Sequence, residues 1–221
     1  RSKGLSYRLR VSLALTVSVV VSALAWLCIL WGGEDATEVI RFAPNLTILL
    51  RLDESGRFFT GIISALWPFT MLYACSYMKH EKHVRSFFSF FLMAYGAALG
   101  ISMAGNLFTM YCFYELLTLT PAPLVMQPMT KEAWRATQIY LVLSLGGAAF
   151  AFAAMAFLLA NGASGPFTMG GVLSGEAFGN KTVARLFWLF GFMGFGVKAA
   201  IFPFHRWLPA ASVAPTPVTA L

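Results

Sequence analysis

One acid and one base stand alone inside long apolar runs. Glu115 lies in the stretch 107–126 and Lys198 in the stretch 183–204. At 1.5 Å per residue, Glu115 sits roughly 12 Å into a helix of about 30 Å, near the midplane of a bilayer. An ionisable group at that depth costs at least about 2.5–3.5 kcal/mol, so such groups usually mark an ion path and face a partner. Burial favours the neutral form of a carboxyl and of an amine, whereas mutual proximity favours both charged forms. A pair able to approach and separate therefore has proton affinities that switch with conformation, as a proton pump requires. Two plainer readings stand beside this one. Glu115 and Lys198 are a static ion pair, or Lys198 snorkels to the interface, since Phe204 is only about 9 Å further along a helix.

The surroundings of Lys198 sharpen the first reading. Gly191, Gly194 and Gly196 precede it and Pro203 follows. Proline deletes a helix hydrogen bond, and broken helices in membranes survive where protein or a water-filled cavity satisfies the backbone. Discontinuous helices also line transporter ion sites; the alternative is a proline kink near a helix end. His205 follows in VKAAIFPFHRWLP (197–209). An imidazole suits a proton relay between cavity and bulk, yet His205, Arg206 and Trp207 also form an ordinary interfacial anchor. Both roles remain open at this point. His80 and His83 fall in a basic loop and read as solvated. No phosphate loop, Cys/His metal spacing, haem-attachment motif or Ser/His/Asp set occurs, so no cofactor or metal is expected. Any redox chemistry must reside in other chains.

The elements that position these residues follow from composition. Of 221 residues, 58% are hydrophobic and 11% charged, against about 25% charged in soluble domains. That excludes a soluble enzyme, and the aromatic-rich composition excludes disorder. The net charge of +7 is not laid out as a nucleic-acid surface. Cys28, Cys75 and Cys112 lie in apolar segments and read as small buried hydrophobes, neither a disulfide nor a metal site. Six segments are long enough to span: 11–31, 57–78, 86–105, 107–126, 137–160 and 183–204. The expected fold is an all-α polytopic membrane bundle of about six helices, one of them Gly/Pro-interrupted, forming a single transmembrane domain over 1–221. The 21-residue run from Val11 to Trp31 exceeds a signal-peptide core and lacks a cleavage site, so it is read as a retained helix. Gly105-Asn106 marks a tight hairpin, and Gly96 and Gly100 carry the spacing of close helix packing. With the N-terminus inside, ten Lys and Arg fall on inner segments and five on outer ones, as the positive-inside rule requires.

Two stretches point further. FYELLTLTPAPLV (113–125) and GFGVKAAIFPFHRWLPAASVAPTPVTAL (194–221) resemble the antiporter-like membrane subunits of respiratory complex I. They look just as similar to the large subunits of Mrp-type cation/proton antiporters and of membrane-bound hydrogenases. The resemblance implies that Glu115 matches a glutamate on the family's fifth helix and Lys198 a lysine on its broken seventh helix, the pair whose separation drives proton transfer. It also carries His205 over within the 203–209 motif, and has residues 214–218 open the eighth helix. Family members have about fourteen helices with two inverted repeats. Helix 11–31 would be their second, and the whole second repeat would lie beyond Leu221. Pro121, close to Pro123, is expected to shorten helix 107–126. The resemblance thus implies a proton-translocating subunit of a redox-driven, NADH-quinone oxidoreductase (complex I-like) pump in a bacterial inner or mitochondrial inner membrane. Its partners would be the bilayer, other membrane subunits and a chain or segment carrying the missing half, with no nucleic acid. The alternatives are a subunit of a multisubunit Na⁺(K⁺)/H⁺ antiporter without electron transfer, and a structural scaffold.

Overall fold

The structure, a computed structural model, describes residues 7–33, 35–81, 83–168, 171, 173 and 179–219. Among the charges that entered the orientation reading, Arg1, Lys3, Glu34, Lys82 and Glu176 lie outside these residues, as does the side chain of His80. The chain is a helical membrane bundle. Helix α1 (Tyr7–Trp31) leads to a hairpin of β1 (Thr37–Ala43) and β2 (Leu46–Leu50). Then come α2 (Glu54–Tyr77), α3 (Val84–Ser102), α4 (Leu107–Leu119) and the short α5 (Ala122–Val125). The long α6 (Lys131–Ala160), α7 (Lys181–Lys198), and the short α8 (Trp207–Ala211) and α9 (Thr216–Thr219) complete the order. Among the described residues, α1, α2, α3 and α6 are long and apolar enough to cross a membrane.

Packing follows side-chain size. Helix α1 turns Ala14, Ser18, Ser22 and Ala25 inward and leaves Leu13, Val17, Val20, Leu24 and Leu27 exposed. Small residues on one face let membrane helices approach, and the large apolar ones are left for lipid. The hydroxyls of Ser22 and Tyr95 share a hydrogen bond of 2.6 Å, and the Tyr95 ring stacks on Trp67 with centroids 4.8 Å apart. Tyr7 donates from its hydroxyl to the Cys75 carbonyl, tying the start of α1 to the end of α2.

Several boundaries differ from the sequence-based expectation, each with a local reason. Helix α6 begins at Lys131, six residues before the expected 137, because Thr130 Oγ1 accepts the Ala133 amide at 3.0 Å and caps it. The stretch expected as helix 107–126 is helical to Leu119 and resumes at Ala122. The stretch expected as helix 183–204 stops at Lys198. The β-hairpin is an addition to the expected all-helical order. Its second strand lies against the α3–α4 turn, where Gly105 N donates to Leu49 O and Arg51 N to Met103 O, both at 2.8 Å. A Cβ on Gly105 would lie 3.0 Å from Arg51 Cβ and 3.1 Å from Leu49 O, a tight approach that glycine makes without crowding. Asn106 caps α4 through Thr109 N at 2.8 Å, as a tight hairpin at Gly105-Asn106 demands.

Gly96 and Gly100 play different parts from the expected close helix contact. A Cβ on Gly100 would fall 2.2 Å from the Phe113 ring, so that glycine seats an aromatic side chain, and a Cβ on Gly96 would meet nothing within 4 Å. The intimate helix pair is α6 with α7. A Cβ on Gly194 would meet Ala151 N at 2.6 Å, and one on Gly147 would meet Val197 Cβ at 2.7 Å. That approach brings α7 close enough for Lys198 to reach across to α4 and α6.

Candidate functional site

The site begins with a missing amide. In a continuous helix the Leu117 carbonyl would accept from residue 121, but Pro121 has no N–H. Helix α4 therefore ends at Leu119, and the freed Leu117 carbonyl accepts from Lys198 Nζ at 3.3 Å. The next carbonyl, Thr118 O, accepts the Tyr140 hydroxyl at 2.7 Å. Lys198 Nζ also donates to Thr118 Oγ1 at 3.0 Å and to the Tyr140 hydroxyl oxygen at 3.4 Å. An ammonium carries three donors, and all three find oxygen here. The rings of Tyr114 and Tyr140 each lie 5.6 Å from the ammonium, within cation–π range.

Helix polarity adds to this cradle. Lys198 is the last residue of α7 and its ammonium touches the last turn of α4. Two helix C-termini, each the negative end of a backbone dipole, thus converge on one cation. A partly buried lysine is held by oxygen and aromatic faces, and among the described residues no acid pairs with it.

Helix α7 ends in a turn that fixes this placement. Ala200 N donates to Val197 O and Ile201 N to Gly196 O, both at 3.0 Å, which is the Schellman arrangement at a helix C-terminus. Ala200 takes the left-handed conformation (φ 53°) that such a turn requires. Ile201 folds back over Gly196, where a Cβ would lie only 2.3 Å from its Cδ1. The chain then returns so that Trp207 Nε1 donates to Val197 O at 2.6 Å and its ring meets Tyr140 edge-on at 5.7 Å. A cavity of about 610 Å³ opens beside Lys198, bordered by Leu117, Tyr140, Trp207, Ser212 and Thr219 among others.

Glu115 shares one face of α4 with Tyr111, Tyr114 and Thr118, the i, i+3, i+4, i+7 pattern. Its Oε1 accepts the Tyr111 hydroxyl at 2.5 Å, and the Tyr111 hydroxyl also approaches Ala148 O of α6 at 3.4 Å. The Tyr114 hydroxyl donates to Gly194 O, one turn before Lys198, at 3.0 Å. Glu115 and Lys198 are not in ion-pair contact; among the described residues the ion pair is Arg41–Glu38 at 2.6 Å. Glu115 therefore lies on the same α4 face as Thr118, which Lys198 reaches from α7, and the two expected groups bond to different partners. His205 is apart from them, exposed and stacked on Phe202 with centroids 5.9 Å apart.

A sequence profile described as NADH:quinone oxidoreductase/Mrp antiporter, transmembrane, matches residues 104–221, just over half of the chain. The chain belongs to this family. The match to the NADH:quinone oxidoreductase/Mrp antiporter family takes in both halves of the cradle, α4 and α7. Related proteins carry transport names. A probable K⁺/H⁺ antiporter subunit of Rhizobium meliloti (strain 1021) is 31% identical over 177 residues, covering 80% of this chain and 18% of that protein. A Na⁺/H⁺ antiporter subunit of Alkalihalophilus pseudofirmus is 30% identical over 217 residues, covering 94% of this chain and 26% of that protein. The chain spans well under half the length of these relatives. The fold is similar to a chain of an archaeal respiratory complex, the membrane-bound sulfane sulfur reductase. There the TM-score is 0.79 at 22% identity, covering 99% of this chain and 44% of that one. It is similar also to a chain of the Mrp complex from Dietzia sp. DQ12-45-1b, with TM-score 0.78 at 20% identity, covering 97% and 40%.

Charge within apolar sequence marks Glu115 and Lys198, whereas the tyrosines carry no such mark. Tyr111, Tyr114 and Tyr140 sit within apolar runs, and the hydroxyl partners of Tyr114 and Tyr140 lie 80 and 22 residues away. The signal that the sequence does hold is positional: Tyr111 precedes Glu115 by four residues, and Pro121 follows Leu117 by four.

Proposed function

We propose that this chain forms a proton-handling part of an antiporter-like subunit in a multisubunit cation/proton antiporter. Lys198 would be the group that takes up and releases the proton, and Glu115 the carboxylate whose charge biases that exchange. The observation that carries the reading is the cradle, in which three oxygens and two aromatic faces hold one partly buried ammonium beside a cavity of about 610 Å³. A cation held this way is stable while its oxygens stay in place, and loses that support when α4, α6 and α7 shift. The K⁺/H⁺ and Na⁺/H⁺ antiporter names of the relatives support transport without electron transfer. A redox-driven pump of the complex I type is the second reading. It is favoured by the family's NADH:quinone oxidoreductase description and the fold likeness to a chain of an archaeal respiratory complex. In either case the remaining membrane subunits, and the half of the path lying outside this chain, complete the translocating unit. We place it in a cell inner membrane with the N-terminus inside and give His205 the role of a relay at the mouth of the path.

The test is proton flux in proteoliposomes holding the complete complex, driven either by a Na⁺ or K⁺ gradient or by an electron donor. Lys198→Arg keeps the charge but cannot release a proton at working pH, so flux should fall at least tenfold with assembly intact. Glu115→Gln, which can still accept the Tyr111 hydroxyl, should also assemble and transport poorly. Full flux in both variants would leave only the scaffold role. Flux that follows the cation gradient and ignores the donor supports the antiporter; the reverse supports the redox pump.

A further inference from the structure

The start of α6 carries a feature that proton transfer does not use. A cavity of about 430 Å³ is lined by Met126, Met129, Thr130, Lys131, Trp134 and Arg135. Lys131 and Arg135 are one helical turn apart and exposed, and neither forms an ion pair among the described residues. Glu132, the acid between them in sequence, is also exposed, so the site keeps a net positive charge. Trp134 and Met129 stand out at 54% and 64% exposure, a large ring and a thioether presented outward beside two cations. The cap uses Thr130 Oγ1 on Ala133 N, while the amides opening a helix lack intrahelical partners and favour an anion.

Length sets the depth of this cavity. Helix α6 has 30 residues, about 45 Å, against a hydrocarbon core of about 30 Å. Its first turns therefore project to headgroup level, where tryptophan anchors a span. Two cations, an interfacial ring and a methionine floor match a phosphodiester with its glycerol and the head of an acyl chain. We propose that this cavity binds the headgroup phosphate of an anionic phospholipid, with Lys131 and Arg135 on the phosphate and Met126, Met129 and Trp134 on the apolar part. The charge balance favours a lipid of net negative charge over a zwitterionic one.

Native mass spectrometry of the complete complex, titrated with phosphatidylglycerol or phosphatidylcholine, tests this. The double variant Lys131→Gln/Arg135→Gln should retain phosphatidylglycerol about tenfold less well, since each basic side chain near a membrane surface attracts anionic lipid. The control Lys79→Gln/Arg85→Gln, equal in charge change but outside the cavity, should retain it normally. Equal loss in both variants, equal retention of both lipids, or displacement of the lipid by millimolar inorganic phosphate would overturn the proposal. A measurement that does not depend on the double variant is quenching of tryptophan fluorescence by brominated phosphatidylglycerol. Wild type should be quenched more than Trp134→Phe, and identical quenching would count against the site.

Discussion

Tyr140 is where the cradle is most exposed to a single change. Its hydroxyl donates to Thr118 O and accepts from Lys198 Nζ, joining an orphaned helix carbonyl to the ammonium. Tyr140→Phe keeps the ring, its contact with Trp207 and the volume, but strips a partner from the buried Thr118 carbonyl and the partly buried Lys198 ammonium at once. Such a loss costs about 1–3 kcal/mol, so the thermal midpoint should drop by several degrees and flux should fall with it. An unchanged midpoint would mean the bond is not populated. Glu115 and Lys198 are legible from sequence because a charge in an apolar run is conspicuous. Tyr140 and Tyr114 are not, because their roles depend on oxygens 22 and 80 residues away. That Glu115 and Lys198 do not touch is likewise invisible there, since spacing along the chain says nothing about the gap between two helices.

At the scale of elements, the working parts are breaks. Pro121 interrupts α4 and the turn at Ala200 interrupts α7, and between them they free the Leu117 carbonyl and bring Lys198 to it. Gly191, Gly194, Gly196 and Pro203 announce the second break in the sequence, though not that it falls directly after Lys198. Pro121 announces only a shortened helix; that its missing N–H supplies a ligand follows from the fold. Pro121→Ala restores the amide, so residue 121 would compete with Lys198 for Leu117 O. Pro121 stands at the start of α5, outside α4, so the gain is the backbone hydrogen bond that the restored amide adds, about 0.5–1.5 kcal/mol. This variant should melt at or above the wild-type temperature while transporting several-fold more slowly. Stability and activity moving in opposite directions would separate a functional break from a packing defect. Full flux would make the carbonyl dispensable.

Across the whole molecule, contacts between distant connections sort the chain into two sides. The β-hairpin, the α3–α4 turn and the segment after α6 meet, through Arg51 N on Met103 O, Gly105 N on Leu49 O, Phe167 N on Gly105 O and Arg51 Nη1 on Phe167 O. The start of α1 meets the end of α2 through Tyr7 and Cys75. Each group contains the connections that an alternating up-and-down path through a membrane puts on one face. The charge count in the sequence makes the same partition and adds a polarity, with the hairpin side outside. Single cysteines at exposed positions turn this into a measurement. With Cys28, Cys75 and Cys112 replaced by Ser or Ala, Glu38→Cys and Lys181→Cys should react with an impermeant maleimide added outside intact cells. Lys79→Cys and Lys131→Cys should react only after permeabilisation. Labelling of all four from one side would break the partition that the hairpin contacts imply. A clean reversal would keep the partition and invert the polarity, because ten basic residues against five is a bias in insertion, whereas the hydrogen bonds that gather the connections constrain both orientations equally.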